Sequence, residues 1–468
     1  MEFSSHRFKE KARAGLDNDA LRQAMGNIDT GFQARRRAAM KRMPEFEKLQ
    51  ARAALIQDRA LDDLDTHLES FAAQVEKRGG QVHWCSKPQD ACDAVLAICR
   101  ERGAKRVIKG KSMVSEEIGL NEYLTQNGIS PVETDLGEYI IQIRDEAPSR
   151  IIAPALHLTE AQITESFRQT HVHLDKDRTL DSADDLLTEA RTLLRRHFLE
   201  AGIGITGANF LIAETGTAVI VTNDGNGDLS RTLPIVHIII TSIEKIIPTL
   251  EEATTYLRLL VRSATGQEQS VYTSFVSGPK TDGELDGPGE FHVVLVDNGR
   301  SELIGGQFRD MVRCIKCGAC LNHCPVYKSI GGHAYGWVYP GPMGAVLTPA
   351  LKGLDGARAL PFASTFCGRC DEVCPVQIPL TRLLRQWRER AFKDGLAGWK
   401  MRWGIKLWGF FARHPRLYRY EFNMKARLLA FLGRKRGVLR HVPFLTAWTR
   451  ERDLPAPEGR TFMDYWNK

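Results

Sequence analysis

Residues 210–241 read FLIAETGTAVIVTNDGNGDLSRTLPIVHIIIT, and this stretch decides the class of fold. Two β-rich runs, FLIAETGTAVIV and PIVHIIIT, flank a loop rich in Gly, Asn and Asp. Near-continuous apolar runs of strand length belong to a sheet covered on both faces. The pattern continues outward through GQVHW, RVIKG and FHVVLVDNG, with segments of helical character between them. Residues 76–300 are therefore expected to form an α/β domain around a buried sheet. The most apolar window, Gly207 to Thr222, carries Glu214 in its middle and falls short of the roughly 18 residues a spanning helix needs, so no transmembrane segment is expected.

At 468 residues the chain has room for two to four domains. With 43% hydrophobic and 26% charged residues it has an ordinary globular composition, which excludes collagen-like and largely disordered classes. The opening MEFSSHRFKEKARAGL carries charge where a secretory signal needs apolar residues, and places the protein in the cytoplasm. Residues 1–75 mix charge with apolar residues and stop at Gly79-Gly80, as helices do. Their Arg35-Arg36-Arg37 run reads as a solvated helix face rather than a phosphate-binding patch.

Charge is uneven. Residues 381–468 hold 21 Lys+Arg against 7 Asp+Glu, a balance of +14, so the first 380 residues carry −7 of the whole chain's +7. Six of the eight Trp fall in the same region, at Trp387, Trp399, Trp403, Trp408, Trp448 and Trp466. Residues 396–468 are expected to be a separate basic extension.

Ten cysteines divide into two groups. Cys85, Cys92 and Cys99 are far from the rest, and in DACDAVLAICRERG the last two share a helical face with Val95 and Leu96, which marks them as core thiols. The other seven lie between positions 314 and 374, in residues 301–395, and form an internal repeat. Cys314, Cys317, Cys320 and Cys324-Pro325 are followed 50 positions later by Ser364, Cys367, Cys370 and Cys374-Pro375. The first run fits C-x2-C-x2-C-x3-C-P, in which three thiolates hold one iron–sulfur cluster and the fourth crosses to the other. That rule assigns Cys314, Cys317, Cys320 and Cys374 to cluster 1, and Cys324, Cys367 and Cys370 to cluster 2. A zinc site would account for four ligands, not seven. Cluster 2 is one ligand short: Ser364, another protein ligand, a three-iron cluster or an open iron all satisfy the sequence. His323 and His333 flank the loop, either as donors that tune potential or as turn-packing residues.

The stretch RCIKCGACLNHCPVYKSIGGHAYGWVYPGPMGAVLTP, followed by CGRCDEVCPVQIPL, resembles the lactate utilization protein B family, the iron–sulfur subunit of a bacterial L-lactate utilization system. The resemblance extends upstream through KGKSMVSEEIGLNEYL, AETGTAVIVTNDGNGDLSRTLPIVHIIIT and SGPKTDGELDGPGEFHVVLVDNGR, covering roughly residues 60–400. It implies two 4Fe-4S clusters with the same seven ligands, three cysteines at the second being the family's own pattern. It also implies NAD-independent oxidation of L-lactate to pyruvate, in a complex with a cysteine-rich subunit and a smaller subunit of related domain. The upstream domain resembles three-layer α/β folds of the isomerase and CoA-transferase type, followed by a mainly helical ferredoxin-type two-cluster domain.

No catalytic residue is assigned from sequence. Lys109-Gly110-Lys111-Ser112, Glu116-Glu117, Glu214-Thr215-Gly216-Thr217 and the loop Asn223 to Arg231 are candidates for holding a small organic anion, with packing and turn chemistry as the plainer reading of each. The basic tail suits either an anionic membrane surface or an acidic partner subunit. An electron-transfer subunit is the leading function. An iron–sulfur sensor would need a nucleic-acid-binding module, and none is recognisable; a stand-alone enzyme with structural clusters is the third reading.

Overall fold

The computed structural model describes residues 2–148, 152–442, 449 and 452–466. They form two compact units, Met1–Ala391 and Phe392–Lys468.

The first unit is built on a parallel sheet. Strands β1 (Gln81–Cys85), β2 (Arg106–Lys109), β3 (Ser130–Glu133), β4 (Ile203–Thr206), β7 (Val236–Ser242) and β10 (Glu290–Val296) pair in the order β1-β10-β7-β4-β2-β3. Every pairing is parallel. Side chains alternate between two cores. Val294 and Val296 of β10 pack with Cys92, Val95, Leu96 and Cys99 of helix Pro88–Glu101. Phe291, Val293 and Leu295 pack on the other face with Leu68, Phe71 and Val75 of helix Leu64–Lys77. Burial on both faces is why β7 and β10 read as continuous apolar runs.

The quoted stretch supplies both a central strand and a hairpin. Its second run is β7; its first is the antiparallel pair β5 (Phe210–Ile212) and β6 (Thr217–Thr222). With β8 (Ile246–Ile247) and β9 (Tyr272–Val276) the pair forms a smaller sheet of order β8-β5-β6-β9. That sheet packs into the second core and completes a layered α/β domain. Gly204 in β4 is there for close approach: a Cβ would meet Ser230 O of helix Asn226–Thr232 at 1.8 Å.

Cysteines 314–374 lie in a mostly helical region that the amino-terminal helices embrace. Ser5 Oγ donates to Tyr335 O at 2.6 Å, Gln33 Nε2 to Asn322 O at 2.8 Å, and Gln50 Nε2 to Cys374 O at 2.9 Å. Trp387, on helix Leu380–Lys393, belongs to this packing: its ring stacks on Phe308 with centroids 3.8 Å apart, and Nε1 donates to Val346 O.

A buried ion network ties the α/β domain to the cysteine region. Arg300 donates to both oxygens of Glu117, at 2.8 and 2.7 Å, and pairs with Glu244 at 2.9 Å. Tyr339 donates to the same Glu117, and Lys316 donates to Tyr339 at 3.0 Å. Burial alone would raise both carboxylic acids, but the guanidinium holds Glu117 and Glu244 down to about 2.

The second unit contains helices Trp399–Ala412 and Pro415–Gly433, a short ribbon of β11 (Val438–Leu439) and β12 (Leu454–Pro455), and helix Phe462–Trp466. Helix Trp399–Ala412 buries no residue, and Trp399 and Trp403 are 70% and 69% exposed. Trp448 lies outside the described residues. Among the described residues no helix is long and apolar enough to cross a membrane.

Arg300→Gln leaves two buried carboxylates without their cation, and is expected to cost about 3–5 kcal/mol of stability, read as a lowered denaturation midpoint. Wild-type stability in the variant would refute the central role of this network.

Candidate metal centre

The sequence repeat is also a repeat of backbone. Lys316 and Gly318 take positive φ (54° and 68°), and 50 positions on Phe366 and Gly368 do the same (54° and 78°). Short helices Ala319–Asn322 and Arg369–Glu372 follow at the same offset. Lys316 N–H donates to Cys314 Sγ at 3.4 Å, and Phe366 N–H donates to Ser364 Oγ at 3.1 Å. Ser364 thus holds the place of Cys314 in the second turn.

The fold gathers the seven sulfurs into two neighbourhoods. Negative charge on Cys314, Cys317 or Cys374 would oppose ionisation of Cys320, and Cys374 acts most strongly on Cys317. Cys324 and Cys367 act in the same way on Cys370. Cys370 also lies within electrostatic reach of Cys320, so the two groups adjoin. Burial dominates: it pushes the Cys317 and Cys374 thiols up to about 12. Of the seven cysteines, Cys367 is the one whose side chain is exposed.

These residues fit iron–sulfur clusters on three counts. The sulfurs converge, their dryness favours thiolates only beside compensating positive charge, and backbone donors point at them. Besides Cys314, Cys324 Sγ accepts from Tyr327 N–H at 3.5 Å and Cys374 Sγ from Ile378 N–H at 3.3 Å.

Cations surround the first group. Arg36 is buried, donates to Val373 O at 3.1 Å, and lies within electrostatic reach of Cys317 and Cys374. This corrects the reading of the Arg35-Arg36-Arg37 run as a solvated face: the middle guanidinium turns inward. No local pattern marks it, because its partner is 337 positions away. Lys245, also missed, donates to Cys314 O at 2.9 Å. His323 Nδ1 donates to Ala319 O at 2.9 Å, its pKa lowered to about 4 by burial, so it serves as a neutral turn residue. His333 Nε2 donates to Ala147 O at 2.7 Å. Ligand atoms of His333, His157 and Glu146 lie within 4.8 Å of one another. Arg144 also holds the Glu146 carboxylate at 2.6 Å, and the hydrogen bond to His157, with Arg144 behind it, draws that acid down to about 2. The group clamps two loops together.

Cys85, Cys92 and Cys99 are buried in the α/β core, pushed up to about 11, 12 and 12 by desolvation.

The four candidate anion-binding motifs divide. Lys109 is consumed by Glu116 at 2.5 Å and Glu133 at 2.7 Å; Glu117 belongs to the Arg300 network; Glu214 accepts the Leu250 N–H. Gly110, Lys111 and Ser112 instead meet Asn223, Asp224 and Asn226 across one cavity, whose wall includes Cys317.

Residues 68–296 match the LUD domain, and residues 310–378 match the 4Fe-4S dicluster domain. Lactate utilization protein B of Bacillus licheniformis is 40% identical over 468 residues, covering 100% of this chain and 97% of that protein. The chain belongs to the lactate utilization protein B family. The Bacillus subtilis member is also 40% identical, covering 100% and 97% of the two chains. The uncharacterized electron transport protein YkgF of Escherichia coli is 38% identical, covering 98% and 96%. Within the lactate utilization protein B family this chain is an iron–sulfur electron-transfer protein, with the LUD domain preceding the cluster domain.

Arg36→Gln removes a positive charge beside the first sulfur group and is expected to lower the midpoint potential of one cluster by on the order of tens of millivolts. Arg36→Lys is expected to restore most of it. EPR-monitored redox titration measures both, and unchanged potentials in the glutamine variant would refute the effect.

Proposed function

We propose that this chain carries electrons, one at a time, away from the NAD-independent oxidation of L-lactate to pyruvate, within a complex containing a cysteine-rich subunit and a smaller subunit of related domain. The observation that carries the reading is the exposure of a single sulfur. Cys317, Cys320, Cys324, Cys370 and Cys374 are buried and Cys314 is half-buried, whereas Cys367, of the second group, opens to solvent next to Phe366. Cys314, Cys317, Cys320 and Cys374 would hold one 4Fe-4S cluster, and Cys324, Cys367 and Cys370 the other. When bound, such clusters accept and release single electrons. The enclosed set suits the organic side and the exposed rim suits delivery to a partner. Arg388 shapes that rim, its guanidinium 4.0 Å from the Phe366 ring centroid and 4.8 Å from that of Phe362.

The second unit supports a placement on the inner face of the membrane. Its helices combine Lys and Arg with exposed Trp and Phe, the composition of segments that lie in an anionic headgroup layer.

Three measurements test this reading. Anaerobic protein is expected to contain about eight iron atoms per chain; about seven would place a three-iron centre at the second site, and none would end the cluster assignment. Mixed with its two partner subunits and L-lactate, it should lose visible cluster absorbance; a sample that dithionite reduces and lactate does not would sink the lactate assignment. Deletion from residue 396 should lower sedimentation with anionic vesicles, and undiminished sedimentation would reject the membrane contact.

A further inference from the structure

One cavity, of about 250 Å³, lies at the carboxyl ends of β2 and β4. From β2 the chain runs outward to β3, while from β4 it runs the other way through β7 to β10. The crevice between strands at such a reversal is where open parallel sheets bind ligands. Here it is closed by the cluster domain, since Ile315, Lys316 and Cys317 form part of its wall. A molecule held there would touch a residue of the first sulfur group.

The lining selects a small anion. Lys111, Lys245 and Lys316 line the cavity, Lys245 also donating to Cys314 O and Lys316 to Tyr339, against the carboxylates of Asp135 and Asp224. Asp135 is already engaged, since its Oδ1 accepts the Glu138 N–H at 3.1 Å. Asn226 donates through Nδ2 to Thr134 Oγ1 at 3.3 Å, leaving its buried Oδ1 without a donor among the described residues. An unfilled buried acceptor favours a ligand that brings a hydroxyl. The volume falls below the roughly 300–1,000 Å³ of clefts that take drug-sized molecules, and suits a small ligand.

We propose that this cavity binds a short-chain hydroxycarboxylate, with the carboxylate toward Lys111 and Lys245 and the hydroxyl donating to Asn226 Oδ1, and that occupancy is sensed at the adjoining cluster site through the Lys245 bond to Cys314 O and the Cys317 wall. The choice of acid rests on the lactate reading; the site itself rests on the cavity, its charge and its unfilled acceptor.

The test uses the full cluster-loaded chain alone, without partner subunits. L-lactate, pyruvate, acetate and inorganic phosphate are titrated anaerobically by calorimetry, and the EPR spectrum of the dithionite-reduced protein is recorded with each. L-lactate should bind more tightly than pyruvate, acetate or phosphate and shift one of the two cluster signals. Lys111→Gln should weaken binding about tenfold, as loss of a charge-assisted contact does. Asp224→Asn, at an exposed position, should tighten it about threefold by removing a like charge. Absence of binding, preference for phosphate, or affinities unchanged in both variants would overturn the proposal. If Lys111→Gln loses its iron, the opposite-signed Asp224→Asn decides alone. Binding without lactate-driven reduction in the complex keeps the cavity and sinks the lactate reading; reduction without binding to this chain sinks the cavity only.

Discussion

Sulfur buried away from water sets the terms for this molecule. A thiol in a dry interior resists ionisation, and a thiolate there needs positive charge and hydrogen-bond donors close at hand. The surroundings of the first cysteine group supply them. Arg36 comes from the amino-terminal helices, Lys245 from the α/β domain, and the backbone N–H groups of Lys316 and Ile378 from the cysteine loops themselves. Three separate parts of the chain therefore converge on one small volume, and the packing of the whole first unit follows from bringing them together.

The Arg300 network serves the same end from further out. Glu117 and Glu244 belong to the α/β domain, Tyr339 and Lys316 to the cysteine region, and Arg300 sits at the junction, all of them buried or nearly so. Such a network loses little when complete and a great deal when one member is lost. It fixes how the cysteine loop lies against the strand ends, and so gives the cavity at β2 and β4 a sulfur-bearing wall.

What was readable in the sequence was what local pattern controls. The five quoted apolar runs became β1, β2, β5 with β6, β7 and β10, because their apolar and β-branched residues mark them in the sheet interior, as in β7 and β10, and at its edge, as in β1. Strands β3 and β4 left none: the first contains Pro131, the second is four residues with Gly204 inside, and each is held by its neighbours rather than by propensity. The cysteine repeat announced itself by spacing, and the matching left-handed turns at Lys316 and Phe366 bear out that the repeat is structural. Arg36, Lys245 and the Arg300 network were invisible because their partners are tens to hundreds of positions away. Within the anion-binding candidates, Lys109 and Glu117 proved to be structural for the same reason, each spending its charge on a buried partner far along the chain.

The embrace of residues 322–374 by the first fifty residues has a consequence for how a nascent chain matures. Ser5 and Gln50 leave the ribosome first, yet their acceptors at Tyr335 and Cys374 follow 330 and 324 positions later. At translation speeds of about 5–20 residues per second, the opening helices wait on the order of 15–60 s for the surface they cover. The roof is thus made before the cysteine loops it covers, so iron and sulfide must reach the emerging loops before helices already waiting beside them dock.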